Sequence, residues 1–155
     1  MREWNTDWYS EMLREDTAPK IKMGTANTSD KNISFNIIFD KNSQYTSIVT
    51  LKKSDLQSYR EFKNNDYIPI QVRIDERFIH KTLGVLQSDY DNYYVTISMY
   101  DDFINDCHSG RYLRIMLGDD KRRAAIIKFS LKGFAKTYNR VSSLIHSLKN
   151  HGILI

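Results

Sequence analysis

Arg111-Tyr112-Leu113-Arg114-Ile115-Met116-Leu117, followed by Gly118-Asp119-Asp120-Lys121 and then by Arg122-Arg123-Ala124-Ala125-Ile126-Ile127-Lys128-Phe129-Ser130, decides the fold. Leu113, Ile115 and Leu117 recur at every second position, the pattern of a strand with one buried face. Residues 118–121 are turn chemistry, because Gly tolerates positive φ and Asp can bond its own backbone. On the return strand Ala125, Ile127 and Phe129 share a face, and Ala124, Ile126 and Lys128 take the other. Ser130 suits a helix N-cap, where a hydroxyl accepts an orphan amide of the first turn. Phe129 and Phe134 flank it at the spacing of a hydrophobic staple. Leu131, Phe134, Tyr138, Val141, Ile145 and Leu148 then recur at intervals of three and four, one apolar stripe along a helix that Gly152 ends.

Working back from this segment, the chain reads as a series of short strands. Residues 33–39 and 46–51 alternate around Asp40-Lys41-Asn42-Ser43 and predict a hairpin. Residues 54–64 predict a helical turn with Leu56, Tyr59 and Phe62 inward. Residues 67–74 alternate Ile68, Ile70, Val72 and Ile74 with Pro69, Gln71 and Arg73. Pro69 has no amide proton and belongs at a strand start or sheet edge. Residues 77–83 and 93–99 give two more strands, and residues 100–109 a short helix that buries Phe103, Ile104 and Cys107. Upstream, residues 18–32 read as a loop with a short strand at 20–23. Trp4, Trp8 and Met12, four apart, suggest an amphipathic helix over residues 2–16. Its tryptophans either cover one edge of the core or form a partner-docking arm.

The expected fold is therefore mainly β with a C-terminal α-helix: an antiparallel β-sandwich, or a curved sheet closed by the terminal helix. With 155 residues, 41% of them apolar, the chain can bury a core as one domain. Residues 1–32 would be an N-terminal arm and loop, 33–129 a β-rich core and 130–151 the closing helix. No apolar run reaches the ~18–20 residues of a membrane-spanning helix. Met1 leads into polar sequence, so the chain as written is expected in the cytoplasm, or in the periplasm if Met1 follows a removed leader. One cysteine excludes an internal disulfide and a cysteine zinc cage.

Charge is unevenly placed. From Arg111 onward 10 Lys/Arg face 2 Asp/Glu, a net of +8, whereas residues 1–110 hold 13 against 17, a net of −4; together these give the overall +4. Such polarity concerns partners and association rates, not the fold.

Motifs for chemistry are sparse. The six glycines form neither a phosphate loop nor a dinucleotide fingerprint. Cys107 and His108 are adjacent on a helix and point about 100° apart, which suits a core cysteine beside a surface histidine. An unfamiliar enzyme site built from Asp106, Cys107 and His108 is the catalytic alternative. The four histidines lack metal-ligand spacing, and no cofactor is implied. Asp89-Tyr90-Asp91 and Asp101, Asp102 and Asp106 are explained by turn chemistry and by the helix dipole. The triplets at Asn27 and Asn32 fit glycosylation sites by composition alone.

The basic segment stands out. Tyr112, Arg114, Arg122 and Lys128 project from the hairpin, Lys121 and Arg123 lie at its turn, and Lys132, Lys136 and Arg140 flank the helical stripe. These nine are the expected partner-binding residues, with Tyr112 the aromatic anchor. An acidic protein is the expected partner. Nucleic acid is the weaker binding option, and plain solvation of a charged face is the alternative against which both are weighed.

Phe129-Ser130-Leu131-Lys132-Gly133-Phe134-Ala135 resembles the "FSLxGF" signature of invasion associated locus B-like proteins. Ile70-Gln71-Val72-Arg73-Ile74-Asp75 is similar to the "V-x-R-[IV]-D" segment of VasI-like accessory proteins of type VI secretion. The resemblance spans residues 67–148. It implies a β-rich domain with a closing helix, no enzymatic activity, and an accessory role in the bacterial envelope or in secretion. An inhibitor of a host defence nuclease, encoded by a phage or mobile element, is the alternative function.

Overall fold

The computed structural model describes residues 1–13, 18–56, 62–118 and 125–151. The strands are β1 (Glu3–Asn5), β2 (Trp8–Leu13), β3 (Lys20–Ala26), β4 (Ser34–Phe39), β5 (Tyr45–Lys52), β6 (Asp66–Ile74), β7 (His80–Ser88), β8 (Asn92–Ile97), β9 (Tyr112–Leu117) and β10 (Ala125–Ser130). Helix α1 (Phe103–Ser109) precedes β9, and α2 (Phe134–His151) follows β10. The strands form one 10-stranded sheet in the order β1-β2-β3-β4-β5-β8-β7-β6-β9-β10. Every neighbouring pair is antiparallel.

This corrects the expected sandwich or curved, helix-closed sheet. Two packed sheets require the ladder to break, and here it does not. β5 pairs with β8 and β6 pairs with β9, so two non-sequential ladders carry the sheet through the middle of the chain. No ladder joins β10 to β1 among the described residues, so the sheet is open. The mainly β composition and the C-terminal helix are as expected.

One face of the sheet carries the core. Trp8, Phe35, Phe39, Phe129 and Phe134 are fully buried with Phe103 of α1. Helix α2 packs on β1, β2 and β3 and against α1. Phe134 meets the Trp8 indole edge-on at 4.9 Å, and Tyr138 meets Phe39 at 5.9 Å. Val141, Ile145 and Leu148 are buried, as the stripe requires.

The N-terminal segment is the second correction. Residues 3–13 form β1 and β2, not a helix. Trp8 is buried within the core, while Trp4 on β1 is half exposed and packs on Tyr9. Strand β3 runs to Ala26, further than expected, because Gly24 lets the Tyr9 ring and the Asn36 amide lie where a Cβ would be, 2.5 Å from each. Of the helical turn expected at residues 54–64, the start is a 3-10 turn, Lys53–Asp55, and residues 57–61 lie outside the described residues. Tyr59 lies outside the described residues, as does Gly152.

Ser130 ends a strand and does not cap α2. Its hydroxyl donates to Asp7 Oδ2 at 2.6 Å and accepts the Lys132 amide at 3.1 Å, and α2 begins four residues later. Gly133 turns the chain between them at φ +92°, pressed against the Asn5 carbonyl. Around this turn the two ends of the sheet meet through side chains and single amides. Trp8 Nε1 donates to Ser130 O at 2.7 Å, Asn27 Nδ2 donates to Lys128 O at 2.7 Å, and the Asp7 amide donates to Lys132 O at 3.2 Å.

Candidate docking site

Leu113, Ile115 and Leu117 are buried, so Tyr112, Arg114 and Met116 leave the opposite face of β9. Asp75 fixes where β9 starts. It holds φ 51°, and its carboxylate accepts the amides of Arg111 and Tyr112 at 3.0–3.2 Å. A short polar residue tolerates this left-handed conformation and satisfies two amides that β6 leaves unpaired. Arg73 braces the same turn by donating to the carbonyls of Arg77 and Glu76.

The register aligns Arg73, Arg114 and Lys128 across β6, β9 and β10. Arg114 donates to Asp75 O at 3.3 Å and lies 3.7 Å from Glu76, which also lies 3.4 Å from Arg73. Glu76 is exposed, so these pairs are solvent-screened and contribute little. Lys128 lies over the Tyr112 ring, 3.8 Å from its centroid. Below it Asp7, Thr28, Gly110, Arg111, Tyr112, Ser130 and Lys132 line a cleft of about 550 Å³. Asp7 is engaged by Ser130, while Lys132 is exposed and makes no ion pair among the described residues. The cleft therefore presents two cations and an aromatic ring beside the Asp7 carboxylate, and this net positive lining suits an anionic group.

The nine expected binding residues do not all gather there. Tyr112, Arg114, Lys128 and Lys132 are neighbours. Lys136 is exposed on α2. Arg140 turns to another corner, where its guanidinium meets Glu3 at 2.6 Å. Lys121, Arg122 and Arg123 lie outside the described residues. Arg111 was not among the expected residues, although it opens the basic segment. Its place in the cleft depends on Asp75, a contact across 36 residues that no local pattern signals.

The catalytic alternative at Asp106, Cys107 and His108 has a different character. Cys107 is buried, and desolvation, reinforced by the charge of Asp106, pushes its thiol well above the ordinary range. His108 Nδ1 donates to Ile104 O at 2.9 Å, and its ring packs on Phe134 and Tyr138. Asp106 is held by Arg77 at 2.9 Å and by the Tyr100 hydroxyl at 2.7 Å. These groups tie the β6–β7 turn to α1. Among the described residues no group of His, Cys, Asp or Glu could hold a metal ion. Asp89 accepts the amides of Asp91 and Asn92, as turn chemistry requires.

A pH effect follows from this cluster. Burial, then the hydrogen bond to Asp106, also raises the Tyr100 hydroxyl far above the usual phenol range. The folded protein keeps both protons where an unfolded chain begins to release them, from about pH 8.5 for the thiol and about pH 10 for the phenol. Their stabilisation is complete below those values and declines as pH rises toward the folded values. The melting temperature should therefore fall progressively between about pH 8.5 and 10.5, and Cys107→Ala should flatten the lower part of that fall. Native Cys107 should also resist a water-soluble thiol reagent until denaturant is added. Rapid labelling of the folded protein would contradict the burial described.

A scan against known protein families finds no match to the sequence, and a search of curated proteins finds none. Among solved structures, the fold matches the crystal structure of invasion associated protein B from Bartonella henselae at a TM-score of 0.68. The two chains share a fold. Identity is 12%, with 93% of this chain and 96% of that chain covered. The resemblance read from residues 129–135 is thus supported at the level of fold. The motif residues have structural roles here: Phe129 and Phe134 fill the core, Ser130 binds Asp7, and Gly133 makes the turn. No helix is long and apolar enough to cross a membrane among the described residues.

Proposed function

We propose that this domain is a non-catalytic binding module of the bacterial envelope or of a secretion apparatus that docks an acidic protein. The observation that carries this reading is the meeting of Arg111, Lys132 and Tyr112 in one cleft, with Lys128 over the ring. Long cations steer an acidic surface toward the cleft, and the half-exposed tyrosine supplies contact area that can be desolvated. The resemblance of residues 67–148 to small envelope accessory proteins suggests an envelope setting, and the fold shared with invasion associated protein B agrees with that resemblance. The engagement of Arg140 by Glu3 moves the centre of the basic face from the helix to the start of β9.

Affinity capture from a bacterial envelope extract, followed by association kinetics with the captured protein, tests this. The double substitution R111E/K132E should slow association roughly tenfold at low salt, and the difference should shrink as salt rises. Tyr112→Ala should raise the dissociation rate instead. Capture that is unchanged by both variants would place the interaction elsewhere.

A further inference from the structure

The face of the sheet turned away from the core carries a second surface, which meets the docking site at Arg114 and Lys128 and extends away from it across β6 and β7. The register sets Lys81, Gln71, Met116 and Ile126 in one row across β7, β6, β9 and β10. To one side Leu83 faces Pro69, and beyond them Val85 faces Tyr67. Tyr67, Leu83 and Ile126 are 64%, 57% and 64% exposed. On the other side runs the row Arg73, Arg114 and Lys128. An apolar strip thus lies beside a cationic strip. Glu76, exposed, ion-pairs with Arg73 and Arg114 of the cationic strip.

We propose that this outer face of β6, β7, β9 and β10 rests on an anionic lipid surface. Side chains on neighbouring pleated strands project to a common level, so they reach a broad surface together. A bilayer of acidic lipids offers negative headgroups immediately above hydrocarbon, which matches cations beside Leu83 and Ile126. Tyrosine suits the boundary between the two layers, its ring apolar and its hydroxyl wet. A second copy of this chain is a poor occupant. Two-fold pairing of the face would bring like-charged side chains together. Lys81, Leu83 and Ile126 do not line the cleft of Arg111 and Lys132, so variants at these three positions leave that cleft intact.

Flotation with liposomes equimolar in phosphatidylglycerol and phosphatidylcholine, beside liposomes of phosphatidylcholine alone, tests the proposal. The protein should float with the anionic liposomes at low salt, release as salt is raised, and stay behind with the neutral ones. Leu83→Thr with Ile126→Thr, which keeps strand propensity, should lower the bound fraction roughly tenfold or more. Lys81→Glu alone, a change of two units of charge, should weaken partitioning roughly twentyfold or more. R111E/K132E should retain most of the binding through this face, which separates failure here from failure of the protein-docking reading. Four results would overturn the proposal. They are no flotation with anionic liposomes, equal flotation with both kinds, flotation indifferent to the threonine pair and to Lys81→Glu, and capture of an acidic protein through this face without flotation.

Discussion

Replacing Gly133 by alanine is expected to destabilise the fold by about 3 kcal/mol or more. Two effects act together. Gly133 sits at φ +92°, where an L side chain is strained. A Cβ there would also stand 1.8 Å from the Asn5 carbonyl oxygen and 2.8 Å from the carbon that bears it. Both atoms are backbone, so no rotamer change relieves the clash. Either the turn before α2 or the β1–β2 turn must move. Moving either breaks the Asp7 amide bond to Lys132 O and the Ser130 hydroxyl bond to Asp7. Chemical denaturation of the variant beside the parent protein checks this. A shift of less than about 1 kcal/mol would mean that the two turns are not in contact.

Trp8 should show the next largest effect, and two substitutions divide it into parts. Trp8→Ala removes a fully buried indole that packs edge-on to Phe134 and Phe35. Core truncations of this size cost about 3–5 kcal/mol. Trp8→Phe keeps much of the packing and deletes the hydrogen bond to Ser130 O, which should cost about 1–3 kcal/mol. The alanine variant should also loosen β10, detected as faster amide exchange along residues 125–130. If Trp8→Phe is neutral, the indole acts only as packing volume and does not secure the last strand.

Trp8 also shows why the N-terminus was the least legible part of the sequence. Trp4, Trp8 and Met12 are four apart, and four suits both a helical period of 3.6 and a strand period of 2. The tie is broken by β3, to which Ser10, Glu11 and Met12 pair, and pairing partners are not written in local pattern. The same limit explains the sandwich. Alternation in residues 67–74 and 111–117 correctly gives which face is buried, but a sandwich and a single sheet with helices on one face bury the same positions. The β5–β8 and β6–β9 pairings decide between them, and both join strands distant in sequence. Where pattern is long and one-sided it is sufficient, as in the stripe from Phe134 to Leu148 and the hairpin at Asp40.

The candidate site was legible as charge and not as geometry. Counting Lys and Arg located the basic segment, and alternation placed Tyr112, Arg114 and Lys128 on the outward face. Counting could not foresee that Glu3 would take Arg140, or that Asp75 would set Arg111 at the mouth of the cleft. Ser130 departs from the expected cap for a reason that lies in the backbone. Its hydroxyl accepts the amide two residues on, as an N-cap would, but Gly133 turns the chain at φ +92° and the helix starts only at Phe134.

The donors from Trp8 and Asn27 have a consequence for how the protein behaves in a crowded compartment. A terminal strand with vacant carbonyls is a template on which foreign chains can polymerise. Here two of those acceptors are already taken by an indole and an amide from the opposite end of the sheet. Residues 8 and 27 therefore guard the last strand, and proteolytic trimming of the segment that carries them would leave those acceptors open to foreign chains.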